Sequence, residues 1–549
     1  MRTLVLLFLL ALCVNAGFFD TKFGKHLKKL ANKIKDSFNT TAMLRIREKI
    51  ESMTEKIKKK LTLRPEQKAI LGELLKQLNP LKTNNSLDFS IQRVNERSGV
   101  GQLLYQGDIA LREEQFDLFV MDEFADDDDE GREKRQAAFR NQYYPLNIWS
   151  EGIDYYFHSS STRSVRSVFK KAAEAWQKDT CIDFRENSRA EHRVRVTVQT
   201  GCWSMIGRDG GEQDLSLGKD CDNIGTAAHE IGHAIGLLHT HSRHDRDNYV
   251  TLNTRNIQPG WMSEFAKESR ARNENYGMPY DYGSIMHYPA YGPPSINGQP
   301  TMLPHDPAYM ESLGSPLISF LELLIVNKHY GCTKICESAR SSANCQMGGF
   351  PHPRDCSKCV CPSGYGGRLC NERPSGCGKV VEASSSPQTI VVEAGDRRAG
   401  QRFREDMTIC NYWIKAPEGS KIEVKITEMP NGLATHGCQA WGVEIKTHSD
   451  PRFTGYRFCA EEDVGVTMVS KTNIVPVVIY NRYYITQVKI EYRIVSGNRP
   501  QPPPSAPQGS RCEDKPECSA LLRTRNFCRS NIFKLSVKRA ICPKSCGFC

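Results

Sequence analysis

The chain has 549 residues, 25% of them charged and 39% hydrophobic, with a formal net charge of +11. That length exceeds what one hydrophobic core organises, so several domains are expected. The basic residues are scattered along the chain, which argues against a nucleic-acid partner, and no uninterrupted apolar stretch reaches the roughly 20 residues of a membrane span.

In chain order, Arg2, the apolar run Leu4 to Val14 and the small residue Ala16 read as a secretory signal peptide over residues 1–16. Of the 21 cysteines, Cys13 falls inside that peptide and an even number remains. In a chain bound for an oxidising compartment this predicts a disulfide framework. Asn39 and Asn84 open glycosylation sequons, consistent with a secreted, extracellular protein.

Residues 17–135 begin with charged, helical periodicity, Ile46, Ile50, Met53 and Ile57 lying three or four apart. Lys56, Lys58, Lys59 and Lys60 read as a solvated helix face. Tyr105-Gln106-Gly107-Asp108 follows, then the acidic run Asp126 to Glu130 and the basic cluster Arg132-Glu133-Lys134-Arg135. An exposed basic cluster suits a furin-like processing protease, so these residues read as a pro-segment ending at Arg135, or as a charged linker.

Residues 136–332 predict a mixed α and β domain. Ile153 to Phe157 and Val194, Val196 and Val198 alternate as strands, while Ser164 to Lys178 and Ile224 to Ile235 have helical spacing. Six cysteines crowd residues 333–371, a segment too short for a core without crosslinks. Residues 377–496 carry β-branched alternations (Ile422, Val424, Ile426; Val488, Ile490, Tyr492, Ile494) that predict a β-sandwich. A Pro-rich linker, 497–511, leads to a second six-cysteine module at 512–549.

The chemistry concentrates in His229-Glu230-Ile231-Gly232-His233, completed by Gly236 and His239. Histidines at i and i+4 project from one face of a helix, and Gly236 permits the turn that brings His239 back as a third ligand. Three imidazoles with an open position describe a catalytic zinc site, one Zn2+ per subunit, with Glu230 as general base. Met286, in Ser284-Ile285-Met286-His287-Tyr288, fits the methionine turn that accompanies such a motif.

With Arg243-His244-Asp245-Arg246-Asp247, these residues resemble the astacin family of metzincin zinc proteases, and the module order resembles nematode members bearing EGF-like, CUB and ShKT domains. The resemblance implies an α+β metzincin catalytic domain, with a twisted sheet, an active-site helix and two sub-domains, followed by those small modules. It implies that Tyr288 ligates zinc in the resting enzyme and then stabilises the oxyanion, and that Asp108 occupies the zinc in the zymogen. It also implies the pairs Cys181–Cys332, Cys202–Cys221, Cys336–Cys356, Cys345–Cys359, Cys361–Cys370, Cys377–Cys410, Cys438–Cys459, Cys512–Cys549, Cys518–Cys542 and Cys528–Cys546. One departure is Thr240, where many members have a glutamate that pairs with the mature N-terminus. Expected partners are extracellular protein substrates, with matrix or protein ligands for the CUB and ShKT modules, which otherwise act as rigid spacers. A competing reading is a catalytically silent binding protein, but the ligands and the base are all retained.

Overall fold

The computed structural model describes residues 24–25, 27–28, 40–78, 82–83, 88–117, 138–140, 143–292, 294–339, 341–495, 512–530 and 532–548. The signal peptide, Asn39, Asn84, the acidic run, Arg135, the 497–511 linker and Cys549, the expected partner of Cys512, lie outside the described residues.

The N-terminal region contains α1 (Thr40–Ser52), α2 (Thr54–Leu61), α3 (Pro65–Lys76) and α4 (Ile91–Ser98). Pro65 starts α3 where its missing N–H has no partner to lose, and Gly99 closes α4 at φ 79°. In α2, Ile57 and Leu61 are buried while Lys56, Lys58, Lys59 and Lys60 are exposed, so the basic run is a solvated face.

Strands β1 (Ile109–Ala110) and β2 (Ala138–Phe139) precede β3 (Ile153–Phe157), helix α5 (Arg163–Gln177), β4 (Phe184–Glu186), β5 (Arg193–Thr197), β6 (Cys202–Met205) and β7 (Glu212–Leu217). All but β2 form a six-stranded sheet in the order β1-β6-β7-β5-β3-β4. Its outer strand β1 comes from the N-terminal region and pairs in parallel with β6, Ile109 opposite Ser204. Thr162 caps α5 by accepting from the Val165 N–H, and the helix buries Val165, Val168, Phe169, Ala172 and Trp176 on one face. Each large apolar side chain buried there contributes about 1.5–3 kcal/mol. The indole of Trp176 donates to the Ala228 carbonyl at 2.9 Å, tying α5 to helix α6 (Ile224–Ala234).

Beyond α6 lie β8 (Val250–Leu252), β9 (Asn273–Glu274), β10 (Met302–Pro304) and α7 (Phe320–His329). A capping box starts α7: Ser319 accepts from the Glu322 N–H, and Glu322 accepts from the Ser319 N–H. Disulfides Cys181–Cys332 and Cys202–Cys221 brace this half of the chain.

The hairpin β11 (Phe350–His352) and β12 (Asp355–Val360) is stapled by Cys336–Cys356, Cys345–Cys359 and Cys361–Cys370. There follow β13 (Val380–Glu382), β14 (Gln388–Gly395), β15 (Phe403–Lys415), β16 (Lys421–Glu428), β17 (Trp441–Ile445), β18 (Tyr456–Phe458), β19 (Thr467–Val469), β20 (Ile474–Tyr483) and β21 (Ile485–Val495). They build two sheets, β13-β15-β20-β17-β18 and β14-β21-β16-β19, whose inner faces share one core. Ile422, Val424, Ile426, Val488, Ile490 and Tyr492 all point into it, as their alternation predicts. Cys377–Cys410 and Cys438–Cys459 belong to this unit. Helices α8 (Cys518–Arg525) and α9 (Leu535–Ile541), joined by Cys518–Cys542, and a second bridge, Cys528–Cys546, make the last module.

The sandwich carries a buried ion pair, Arg457 Nε to Glu444 Oε2 at 3.0 Å, and the same guanidinium donates to Ser315 of the preceding domain. Removing the carboxylate leaves a buried cation uncompensated. Glu444→Ala is therefore expected to destabilise the sandwich by about 3–5 kcal/mol, seen as a lowered thermal midpoint in calorimetry.

Candidate active site

Asn223 caps α6 by accepting from the Thr226 N–H, and the helix ends as Gly236 adopts φ +92°. One helical turn apart, His229 and His233 face the same point, and the turn after Gly236 returns His239 to it. The Nε2 atoms of His229 and His233 lie 3.1 Å apart, and those of His229 and His239 lie 3.3 Å apart. All three histidines and Glu230 are buried.

The opposite ring nitrogens fix the tautomers. His229 Nδ1 donates to the Ile285 carbonyl and His233 Nδ1 to the Leu237 carbonyl, both at 2.8 Å, and His239 Nδ1 donates to Gln106 Oε1 at 2.9 Å. Carbonyl oxygens only accept, so the protons sit on Nδ1 and three Nε2 lone pairs converge. Burial lowers His233 and takes His239 to about 4, which keeps these rings neutral.

Asp108 enters this cluster from the N-terminal region. Its carboxylate lies 3.2 Å from His229 Nε2, 3.3 Å from His233 Nε2 and 3.2 Å from His239 Nε2. Converging lone pairs beside a buried carboxylate repel one another unless a cation lies among them. Among the described residues, both oxygens of Glu230 and Oδ1 of Asp108 also lack a hydrogen-bond partner. This donor set fits a divalent zinc ion, with backbone carbonyls and Gln106 orienting the imidazoles.

The loop presenting Asp108 is tightly built. Tyr105 and Ile109 exchange both backbone hydrogen bonds at 2.9 Å, and Gln106 and Gly107 take φ of 47° and 76°. A Cβ on Gly107 would sit 2.6 Å from the Tyr288 hydroxyl, so no larger residue fits there. That hydroxyl donates to the Gln106 carbonyl. Asn95 locks the loop to the sheet, donating to the Gly107 and Cys202 carbonyls at 2.9 and 2.7 Å.

Met286 lies directly beneath α6, where a Cβ on Gly232 would sit 2.6 Å from its sulfur. Its turn is gripped by Glu322 of α7, which accepts from the Ile285 and Met286 N–H groups at 3.1 Å and from the Ser284 hydroxyl at 2.5 Å. Thr240 joins the same network through Ser284 Oγ at 2.7 Å, so the position after the third histidine braces the methionine turn.

Several contributors escape a reading of the sequence. Gln106 orients His239 while donating to Glu268 at 2.7 Å, and Glu268 also accepts from the Tyr105 hydroxyl and pairs with Arg272. Arg47 of α1 pairs with Glu264 at 3.2 Å, both buried. These partners lie up to 217 residues apart, and no spacing rule reaches that far.

Residues 141–331 match the model of the peptidase family described as Astacin. Zinc metalloproteinase nas-31 of Caenorhabditis elegans is 42% identical over 407 residues, covering 74% of this chain and 66% of that protein. The match thus spans just under two thirds of that relative's length. Zinc metalloproteinase nas-29 of the same organism is 33% identical over 434 residues, covering 74% of this chain and 78% of its own. Among solved structures, high choriolytic enzyme 1, a hatching enzyme zinc-protease from Oryzias latipes, aligns at 30% identity with a TM-score of 0.31, covering 36% of this chain and 94% of that one. The chain belongs to the astacin family of zinc metalloproteinases.

Proposed function

We propose that this chain is a secreted endopeptidase, made as a zymogen, that cleaves extracellular proteins of the cuticle or matrix type. The observation that carries the reading is the convergence of three Nε2 lone pairs beside an unpartnered Glu230 carboxylate. His229, His233 and His239 would hold the zinc. When bound, such an ion would lower the pKa of a water towards neutrality and polarise the scissile carbonyl. Glu230 takes the proton of the attacking water and delivers it to the leaving amine. The Tyr288 hydroxyl, engaged by the Gln106 carbonyl in this state, becomes free to donate to the developing oxyanion once the pro-segment leaves.

Latency rests on Asp108, whose carboxylate fills the position among the imidazoles that a substrate carbonyl and water need. A furin-like protease cutting after Arg135 severs the segment that carries it from the protease. The signal peptide 1–16 and glycosylation at Asn39 and Asn84 belong to the same secretory route. Among the described residues no helix is long and apolar enough to cross a membrane. Residues 333–371, 377–496 and 512–549 are read as EGF-like, CUB and ShKT modules that place the protease on matrix or substrate. Their internal disulfide pairs support that division.

The test is metal dependence. The chain cut at Arg135 should carry one zinc and cleave a quenched peptide. A strong chelator should abolish that cleavage, and added zinc should restore it. Turnover that survives complete loss of the metal would refute the reading.

A further inference from the structure

The last module does not stand apart from the N-terminal region. Ile70 and Leu74, one turn apart on α3, are fully buried in a cluster with Leu521 of α8 and with Val537 and Ile541 of α9. Around that contact Lys515 pairs with Glu73 at 2.6 Å, and the Ser536 hydroxyl donates to Gln77 Oε1 at 2.9 Å. The module also has its own seat on the protease domain. Phe533 stacks on His305 at 4.6 Å, and Lys534 pairs with Asp306 at 3.2 Å. Leu303 of β10 completes the apolar cluster from that side. Helix α3 is thus enclosed between the protease and the C-terminal module.

We infer that residues 512–548 form a receptor surface for an amphipathic helix, filled in the precursor by α3, and that this clasp retains the pro-segment after the chain is cut. The chemistry is specific. The module offers an apolar face flanked by Lys515, and α3 presents two aliphatic side chains at i and i+4 beside Glu73, whose carboxylate pairs with Lys515 across the contact and with Lys76 of its own helix. Asp108 blocks the catalytic residues, whereas the clasp acts on a helix more than thirty residues upstream, so cutting at Arg135 and gaining activity become separable events. A bridge of 2.6 Å with Lys515 41% and Glu73 11% exposed adds modestly, and the buried aliphatic contact adds most.

The inference rests on reading residues 17–135 as a removable pro-segment, and the experiment separates the two. Full-length precursor carrying a fluorophore near its N-terminus is cut at Arg135, and fragment release (by anisotropy) and peptide cleavage are followed together. In the parent, release should lag behind cutting, and activity should rise with release. Leu74→Ala should speed release roughly tenfold or more, and Lys515→Glu about twofold to fivefold. Glu73→Lys combined with Lys515→Glu should bring release part of the way back towards the parent rate, Lys76 beside position 73 keeping the rescue incomplete, and general misfolding would give no rescue. Release rates unchanged in Leu74→Ala and Lys515→Glu, with activity still gained on cutting, overturn the clasp alone. An uncut precursor as active as the cut chain overturns the clasp and the pro-segment reading together.

Discussion

Glu230→Gln is expected to reduce peptide hydrolysis by about 10²–10⁴-fold while the zinc content of the processed protein stays the same. Glu230 is fully buried within the helical turn that separates His229 from His233, yet among the described residues neither of its oxygens has a hydrogen-bond partner. Burial, and after it the Asp108 charge, lifts its carboxyl well above the ordinary value. A buried, unpartnered carboxylate costs stability, and such a group persists where it has a proton to receive. The amide of glutamine preserves size and hydrogen-bonding capacity, so the metal site should remain formed while proton transfer is lost. Metal analysis alongside a quenched-peptide assay checks both halves. A Glu230→Gln protein with parental turnover removes Glu230 from the reaction, and one that loses its zinc recasts it as a ligand or a support.

What the sequence makes legible is what is encoded locally. His229 and His233 at i and i+4 specify one helix face, and Gly236 specifies the turn behind it, so the core of the site reads directly from eleven consecutive residues. The strands of the sandwich read equally well, because Ile422, Val424 and Ile426 alternate towards a single core. The supports are another matter. Glu322 grips the methionine turn from a helix 36 residues further on, and Gln106 reaches Glu268 across 162 residues. Nothing in the local pattern of Glu322 distinguishes it from an exposed helical glutamate at the N3 position of a capping box. Thr240 shows the same limit. The sequence marks it as a departure from the family, but only the fold reveals that its hydroxyl bonds Ser284, which in turn donates to Glu322. For α3 the i, i+4 pair of Ile70 and Leu74 announces an apolar face without naming its partner, which lies at the far end of the chain.

The second large effect is expected at Asp108. In the uncut chain, Asp108→Ala should convert a silent precursor into one that cleaves a small peptide measurably and activates on the order of 10² times faster. The substitution removes the carboxylate that all three imidazoles face within 3.3 Å and opens a water-sized space among them. Breaking a buried charge contact of this kind costs about 3–5 kcal/mol. That is enough to shift a closed-to-open equilibrium by about two to nearly four powers of ten. Residual inhibition should persist, because Asn95, Tyr105 and Gln106 still fix the loop and β1 still pairs with β6. The experiment carries its own control. Under the proposed cut at Arg135 residue 108 leaves with the pro-segment, so parent and variant should yield the same mature enzyme, and equal specific activity after release shows that the variant folded. If the uncut Asp108→Ala chain stays as silent as the parent while its mature form is fully active, latency resides in steric cover by the loop and not in the aspartate.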